Sequence, residues 1–271
     1  MAMTFWKIFI LIRRDFLEEF SYRLNFFLGL LTIGVYSSIF YFVAKIFAGS
    51  ASPYLSRYSG DYFSFVLIGL AFTGYVNTGL SAFTTTIRNE QLLGTLEVIL
   101  STPTPLSLIF SARLLWNFLY SSLHAGLYFA FGVIFLKANY AHVNIAAIPI
   151  ILVLSIAAFN SLGMISAGFI LIYKRGDPLN VLFGFAASLL GGVYFPVDVM
   201  PVALQKVAAF IPVTYALRLM RDACIRGSSI SQLAPDILIL AALCAVLLPV
   251  SFIFFSYAVR RAKRDGTLTH Y

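Results

Sequence analysis

Six predominantly apolar runs divide this chain: Leu24–Ile46, Tyr62–Ile87, Leu106–Leu136, Ile145–Tyr173, Leu179–Phe195 and Ile237–Val259. About 20 apolar residues wound as an α-helix match the ~30 Å hydrocarbon thickness of a bilayer. The third and fourth runs exceed that length and have room to tilt or project into water. The fifth is short, ends at Gly191-Gly192 and has Pro196 close behind. Composition agrees with spanning. Hydrophobic residues make up 60% of the 271 and charged residues 11%, whereas a soluble domain runs near 45–50% and about 25%. The sequence predicts an all-α integral membrane protein with six transmembrane helices, organised as one domain over residues 1–271.

The net charge of +8 does not point to nucleic acid, because the basic residues are scattered at the ends of apolar runs, where they set topology. An even number of spans places both termini on one side. That side carries Lys7, Arg13, Arg14, Arg23, Arg88, Arg113, Lys174, Arg175, Arg260, Arg261, Lys263 and Arg264. The opposite side carries the smaller set of Lys45, Arg57, Lys137, Lys206, Arg218, Arg221 and Arg226. The positive-inside rule therefore assigns both termini to the cytoplasm. Cys224 and Cys244 form no disulfide or metal-binding pattern. Arg13, Arg14, Asp15, Glu18 and Glu19 interrupt the first apolar stretch, so it does not read as a signal peptide.

Two segments lie outside this simple scheme. In Thr4–Arg23, Phe5, Ile8, Phe9, Ile12, Phe16 and Phe20 recur at helical spacing, with Lys7, Arg14 and Glu18 on another face. This is the pattern of an amphipathic helix in the inner interface, in preference to an early start of the first span. Pro196–Asp236 is too long for a turn and too apolar for a solvated loop. Val202–Phe210 and Val213–Ile225 read as two short helices separated by Ile211-Pro212. They suggest a re-entrant outer hairpin over about residues 196–226, in preference to an external loop lying on the membrane. Arg218, Asp222 and Arg226 are four apart, so they share a helix face and can pair.

The connection Arg88–Pro105 is too polar to span. Glu90 and Glu97 would each cost about 2.5–3.5 kcal/mol at the bilayer centre. Gly94 would cost about 1 kcal/mol inside any helix. Glu90, Gly94, Glu97 and Ser101 form one polar helical face, and Leu92, Leu96 and Ile99 lie elsewhere. Thr102-Pro103 and Pro105 end the helix before the third span.

Among residues at membrane depth, His124 is ionisable and so a candidate for the transport pathway. Its plainer reading is a neutral imidazole bonding a neighbouring helix. Asn77, Asn117 and Asn160 read as helix-to-helix contacts. The many aromatics, among them Tyr36, Phe40, Tyr41 and Phe42, suit an interfacial belt. Arg260-Arg-Ala-Lys-Arg264 is accounted for by topology and anionic lipid. No G-x-x-x-x-G-K-[ST] motif occurs, so no ATP site is expected in this chain.

Asn89-Glu-Gln-Leu-Leu-Gly-Thr-Leu-Glu-Val-Ile-Leu-Ser-Thr-Pro103 resembles the coupling helix of the type-2 ABC exporter permease family. Gly191-Gly-Val-Tyr-Phe-Pro-Val-Asp-Val-Met-Pro201 and Ile211-Pro-Val-Thr-Tyr-Ala-Leu-Arg218 resemble that family's outer hairpin. The resemblance covers nearly the whole chain, in the family's order. It implies a permease domain with an interfacial helix at about 4–23, a coupling helix at about 88–103 and the outer hairpin. Glu90, Leu93, Gly94, Thr95, Leu96 and Glu97 would then dock on a cytoplasmic ATPase. Tyr194, Phe195, Pro196, Pro201, Pro212 and Arg218 would belong to the outer hairpin and exit. Two permease halves, as a homodimer in the cell (inner) membrane, would work with two ATPase subunits that hold the ATP and magnesium. No cofactor and no nucleic acid are expected on this chain; lipids surround it. The cargo would be amphipathic: a drug, a lipid or a lipid-linked glycan. An ATP-independent secondary transporter is the competing reading, but it usually shows several protonatable groups at the midplane. A membrane enzyme ranks last, for want of a convergent catalytic set.

Overall fold

A computed structural model describes residues 2–21, 23–46, 61–92, 106–136, 140, 143–173 and 177–264. Among these the chain is helical, without strands. The order is α1 (Ala2–Ser21), α2 (Arg23–Ile46), α3 (Tyr62–Leu92), α4 (Leu106–Leu136), α5 (Ala147–Tyr173), α6 (Pro178–Leu190), a 3-10 turn at Val197–Val199, α7 (Val202–Ala208), α8 (Pro212–Cys224) and α9 (Ile230–Arg264). Stretches within α2, α3, α4, α5 and α9 are long and apolar enough to cross a membrane. The chain is an all-α, multi-pass integral membrane protein.

The spans are not equivalent. In α3, 78% of the most apolar stretch is buried within the protein, against 11% for α2 and 17% for α4 and α9. Lipid is as apolar as a leucine core, so close packing between spanning helices comes from shape and small residues. The α3–α5 crossing has this character. A Cβ at Gly163 would lie 2.5 Å from the Gly79 carbonyl oxygen, so the two backbones can touch only because that side chain is missing. Helix α5 also packs on α9, α4 on α3, and α1 on α4. Phe65, Leu67, Ile68, Leu80, Phe159 and Leu240 fill the interior.

Helix ends follow local capping chemistry. Asp61 precedes α3 and accepts from the Phe63 amide at 3.0 Å and from the Ser64 hydroxyl. Asp177 precedes α6, accepts from the Asn180 amide at 3.1 Å, and also takes the Ser166 hydroxyl of α5. Pro178 occupies the first turn of α6, where its missing N–H is not needed.

Several expected boundaries shift. The fifth run was expected to span to Phe195, but its helix stops at Leu190 after 13 residues. That is about 20 Å of helix, short of the ~30 Å core. The chain then turns at Gly191-Gly192, where Gly192 has φ 80°, a conformation that favours glycine. The last span begins at Ile230, before the expected Ile237, and runs through Pro235 and Pro249 to Arg264. Its start is capped by Gln232, whose side chain accepts from the Ser229 amide at 3.0 Å. Helix α3 continues without a break through Arg88 to Leu92, so the polar connection begins as an extension of a span. The rest of that connection, 93–105, lies outside the described residues. Helices α7 and α8 are bent by 89° at their short break, the geometry of a broken span or of a re-entrant loop.

Candidate functional site

The hairpin is built around α8. Pro212 occupies its first turn, and nearly every side chain from Pro212 to Cys224 is buried. The Thr214 hydroxyl donates to the Ala208 carbonyl at 2.9 Å, joining the two arms. Arg221 ties α8 to the rest of the protein. It is only 3% exposed. Its Nε donates to the Phe65 carbonyl of α3 at 3.2 Å, and its Nη2 donates to the Val193 carbonyl at 3.0 Å. The guanidinium also lies 3.4 Å from the centre of the Phe65 ring. A buried charge is tolerable only when its donors are satisfied, and these contacts join α8, α3 and the turn after α6. Gly69 makes the junction possible, since a Cβ there would lie 2.3 Å from the Val193 oxygen and 3.1 Å from Arg221 Nη2.

That turn delivers Tyr194 to a cavity of about 500 Å³ between α2, α3, α4 and α6. Tyr194 is held by a stacked contact with Phe40, centroids 5.6 Å apart, and its carbonyl accepts from the Tyr62 hydroxyl at 3.2 Å. Thr73, Asn77, Tyr120, Ser121, His124 and Tyr128 are among the lining residues, and among the described residues no Asp, Glu, Lys or Arg lines the cavity. His124 sits 4.5 Å from the Tyr120 ring centre. Ser121 is buried and its hydroxyl has no hydrogen-bond partner among the described residues. Such walls can offer hydrogen bonds and aromatic faces to a passing molecule, without fixed charge to hold it.

The residues singled out from sequence fall in different places. His124 and Tyr194 come together in the polar cavity. Phe195, Pro196 and Pro201 lie along the connection from α6 to α7, with Pro196 buried and Pro201 exposed. Pro212 and Arg218 belong to α8. Glu90 lies on the backbone of α3; Leu93, Gly94, Thr95, Leu96 and Glu97 fall outside the described residues. The expected charge ladder on α8 divides. Asp222 pairs with Arg226 at 3.6 Å, whereas Arg218 reaches Asp236 of α9 at 3.5 Å and also lies over the Tyr215 ring. Asp222 is buried, so this face does not simply point to water.

Arg221 was missed from sequence. There it was counted only as one of the basic residues on the outer side. The available signal was its position four residues after Leu217 and eight after Val213, on an apolar stripe. A lone ionisable residue on such a stripe marks a site that needs a partner.

Comparison with known proteins extends this reading. A family model described as ABC-2 type transporter matches residues 6–225. Nodulation protein J of Rhizobium leguminosarum bv. viciae is 33% identical over 92 residues, which are 33% of this chain and 35% of that protein.

Proposed function

Because the chain belongs to the ABC-2 type transporter family, whose members are membrane subunits that work with an ATPase, we propose that it is the permease half of an ATP-driven exporter. In this reading two copies pair in the inner membrane, and two ATPase subunits with ATP and magnesium dock on their cytoplasmic side. The termini are cytoplasmic in this reading, the orientation that the excess of Lys and Arg on their side favours. Helix α1 lies in the inner interface. Glu90, Leu93, Gly94, Thr95, Leu96 and Glu97 carry movement from the ATPase into α3 and α4. An amphipathic drug, lipid or lipid-linked glycan passes the uncharged cavity at His124 and leaves beneath Tyr194, Phe195, Pro196, Pro201, Pro212 and Arg218. The observation that carries the proposal is the family match over 6–225, which includes both the polar connection and the outer hairpin.

The coupling segment supplies the test. A charge reversal that breaks an interfacial pair typically costs 2–5 kcal/mol. Glu97→Lys is therefore expected to lower ATP-dependent export at least about tenfold, while the protein still inserts in the membrane. Co-purification of the ATPase with wild type, and its loss when Gly94–Glu97 is altered, checks the docking directly. Normal export by Glu97→Lys, or transport that persists without any ATPase, would sink the proposal; the latter would favour a secondary transporter.

A further inference from the structure

A second cavity, of about 820 Å³, lies between α3, α4, α5 and α9 and shares no lining residue with the polar cavity. Its size falls in the usual ligand-site range of about 300–1,000 Å³. Phe83, Ser161, Ser251 and Phe255 form a buried floor. The rim is open, with Leu115 44%, Val153 62%, Leu248 48% and Phe252 60% exposed. The cavity is thus a cleft facing sideways from the bundle, where a spanning helix meets lipid.

The cleft is polarised along its length. On α9, Leu248, Phe252, Ser256 and Arg260 follow at steps of four and all line it. From Leu248 to Arg260 the helix rises about 18 Å, close to the depth of one leaflet in a ~30 Å hydrocarbon core. Aromatic and aliphatic groups make up most of the lining, with Asn160, Ser161 and Ser251 on the buried wall, and among the described residues Arg260, at one end, is the one charged group. No carboxylate pairs with Arg260 among the described residues. An arginine at the end of an apolar cleft can lay its stem on apolar surface and present its head at the interface. That arrangement complements a molecule with an acyl chain and an anionic head.

We propose that this cleft holds one resident bilayer phospholipid with an anionic headgroup, its chains against Phe83, Phe118 and Phe252 and its headgroup on Arg260. With cytoplasmic termini, as proposed above, the lipid comes from the inner leaflet. The site stands apart from the cargo path and is independent of the direction of transport.

Native mass spectrometry tests it, on the purified full chain released from nanodiscs of mixed phosphatidylglycerol and phosphatidylcholine. One basic residue beside an anionic headgroup predicts about a five-fold preference for phosphatidylglycerol, retained as one molecule per chain. Arg260→Gln abolishes the preference, whereas Arg264→Gln, on an exposed residue outside the cleft, keeps it. Ser256→Trp fills the headgroup end and reduces retention of both lipids. Equal retention of the two lipids by wild type overturns the proposal. So does loss of preference in Arg264→Gln to the extent seen in Arg260→Gln, or unchanged retention in Ser256→Trp. Efficient disulfide pairing of Phe252→Cys between copies would also overturn it, by assigning the cleft to a second chain.

Discussion

The two helices of the bent pair, α7 and α8, are adjacent in sequence and both carry apolar side chains, yet they are used differently. Helix α7 buries only Ala208 and leaves Val202, Leu204 and Val207 exposed. Helix α8 buries almost its whole length, including the charged Arg221 and Asp222. Apolar character therefore does not select the arm that enters the protein. In a membrane an apolar residue loses little by facing lipid, so contact with other helices depends on fit and on satisfied polar groups. Helix α8 has both. Arg221 finds two carbonyls, Thr214 finds another on α7, and the α8 end is tied back to the chain before α5. There Asn144 donates its amide N–H to the Ala223 carbonyl at 2.9 Å and its side-chain N–H to the Ser228 carbonyl at 2.8 Å.

This contrast can be broken most directly at Arg221. Arg221→Met keeps the bulk but removes two charge-assisted hydrogen bonds, an expected loss of about 3 kcal/mol. Thermal unfolding in detergent should show a clearly lower Tm, and hydrogen exchange should rise over 191–195. An unchanged Tm would mean that packing alone seats α8. Gly69→Ala addresses the same junction from α3. The added Cβ meets the Val193 oxygen at 2.3 Å, so the turn must move, with an expected cost of about 1–3 kcal/mol. A Tm equal to that of wild type would show that the turn yields freely. The smallest effect belongs to α7. Val207→Ser on its exposed face should change stability by no more than about 0.5 kcal/mol. A drop as large as that of Arg221→Met would erase the distinction between the arms and indicate that α7 is covered by another chain.

Much of this architecture was legible from residue order. The spans in α2, α3, α4 and α5 begin within a few residues of the expected positions, because long apolar runs leave few alternatives in lipid. The two short helices α7 and α8 were legible too, from Pro196, Pro201 and Pro212 interrupting an apolar stretch. The fifth run was less so: Leu179–Phe195 is apolar throughout its length, but Gly191-Gly192 ends the helix at Leu190 and redirects the chain. Helical spacing placed Arg218, Asp222 and Arg226 on one face, and the Asp222–Arg226 pair follows it. The Arg218–Asp236 pair joins α8 to α9, and spacing within one helix carries no information about a partner on another.

The sequence by itself determined that this protein lives in a membrane as helices, where its polar interruptions fall, and which family it resembles. Those properties are local: they depend on the apolarity of each run and on residues a few places apart. Only the tertiary structure decided that α3 is the buried spine, that Arg221 ties α8 to α3 while Arg218 reaches α9, and that His124 and Tyr194 line one cavity. The physical reason is that apolar residues satisfy lipid and protein interior almost equally, so burial is set by which backbones can approach and which buried donors find acceptors. Gly69, Gly79 and Gly163 permit the approach, and the carbonyls of Phe65 and Val193 accept from the buried cation.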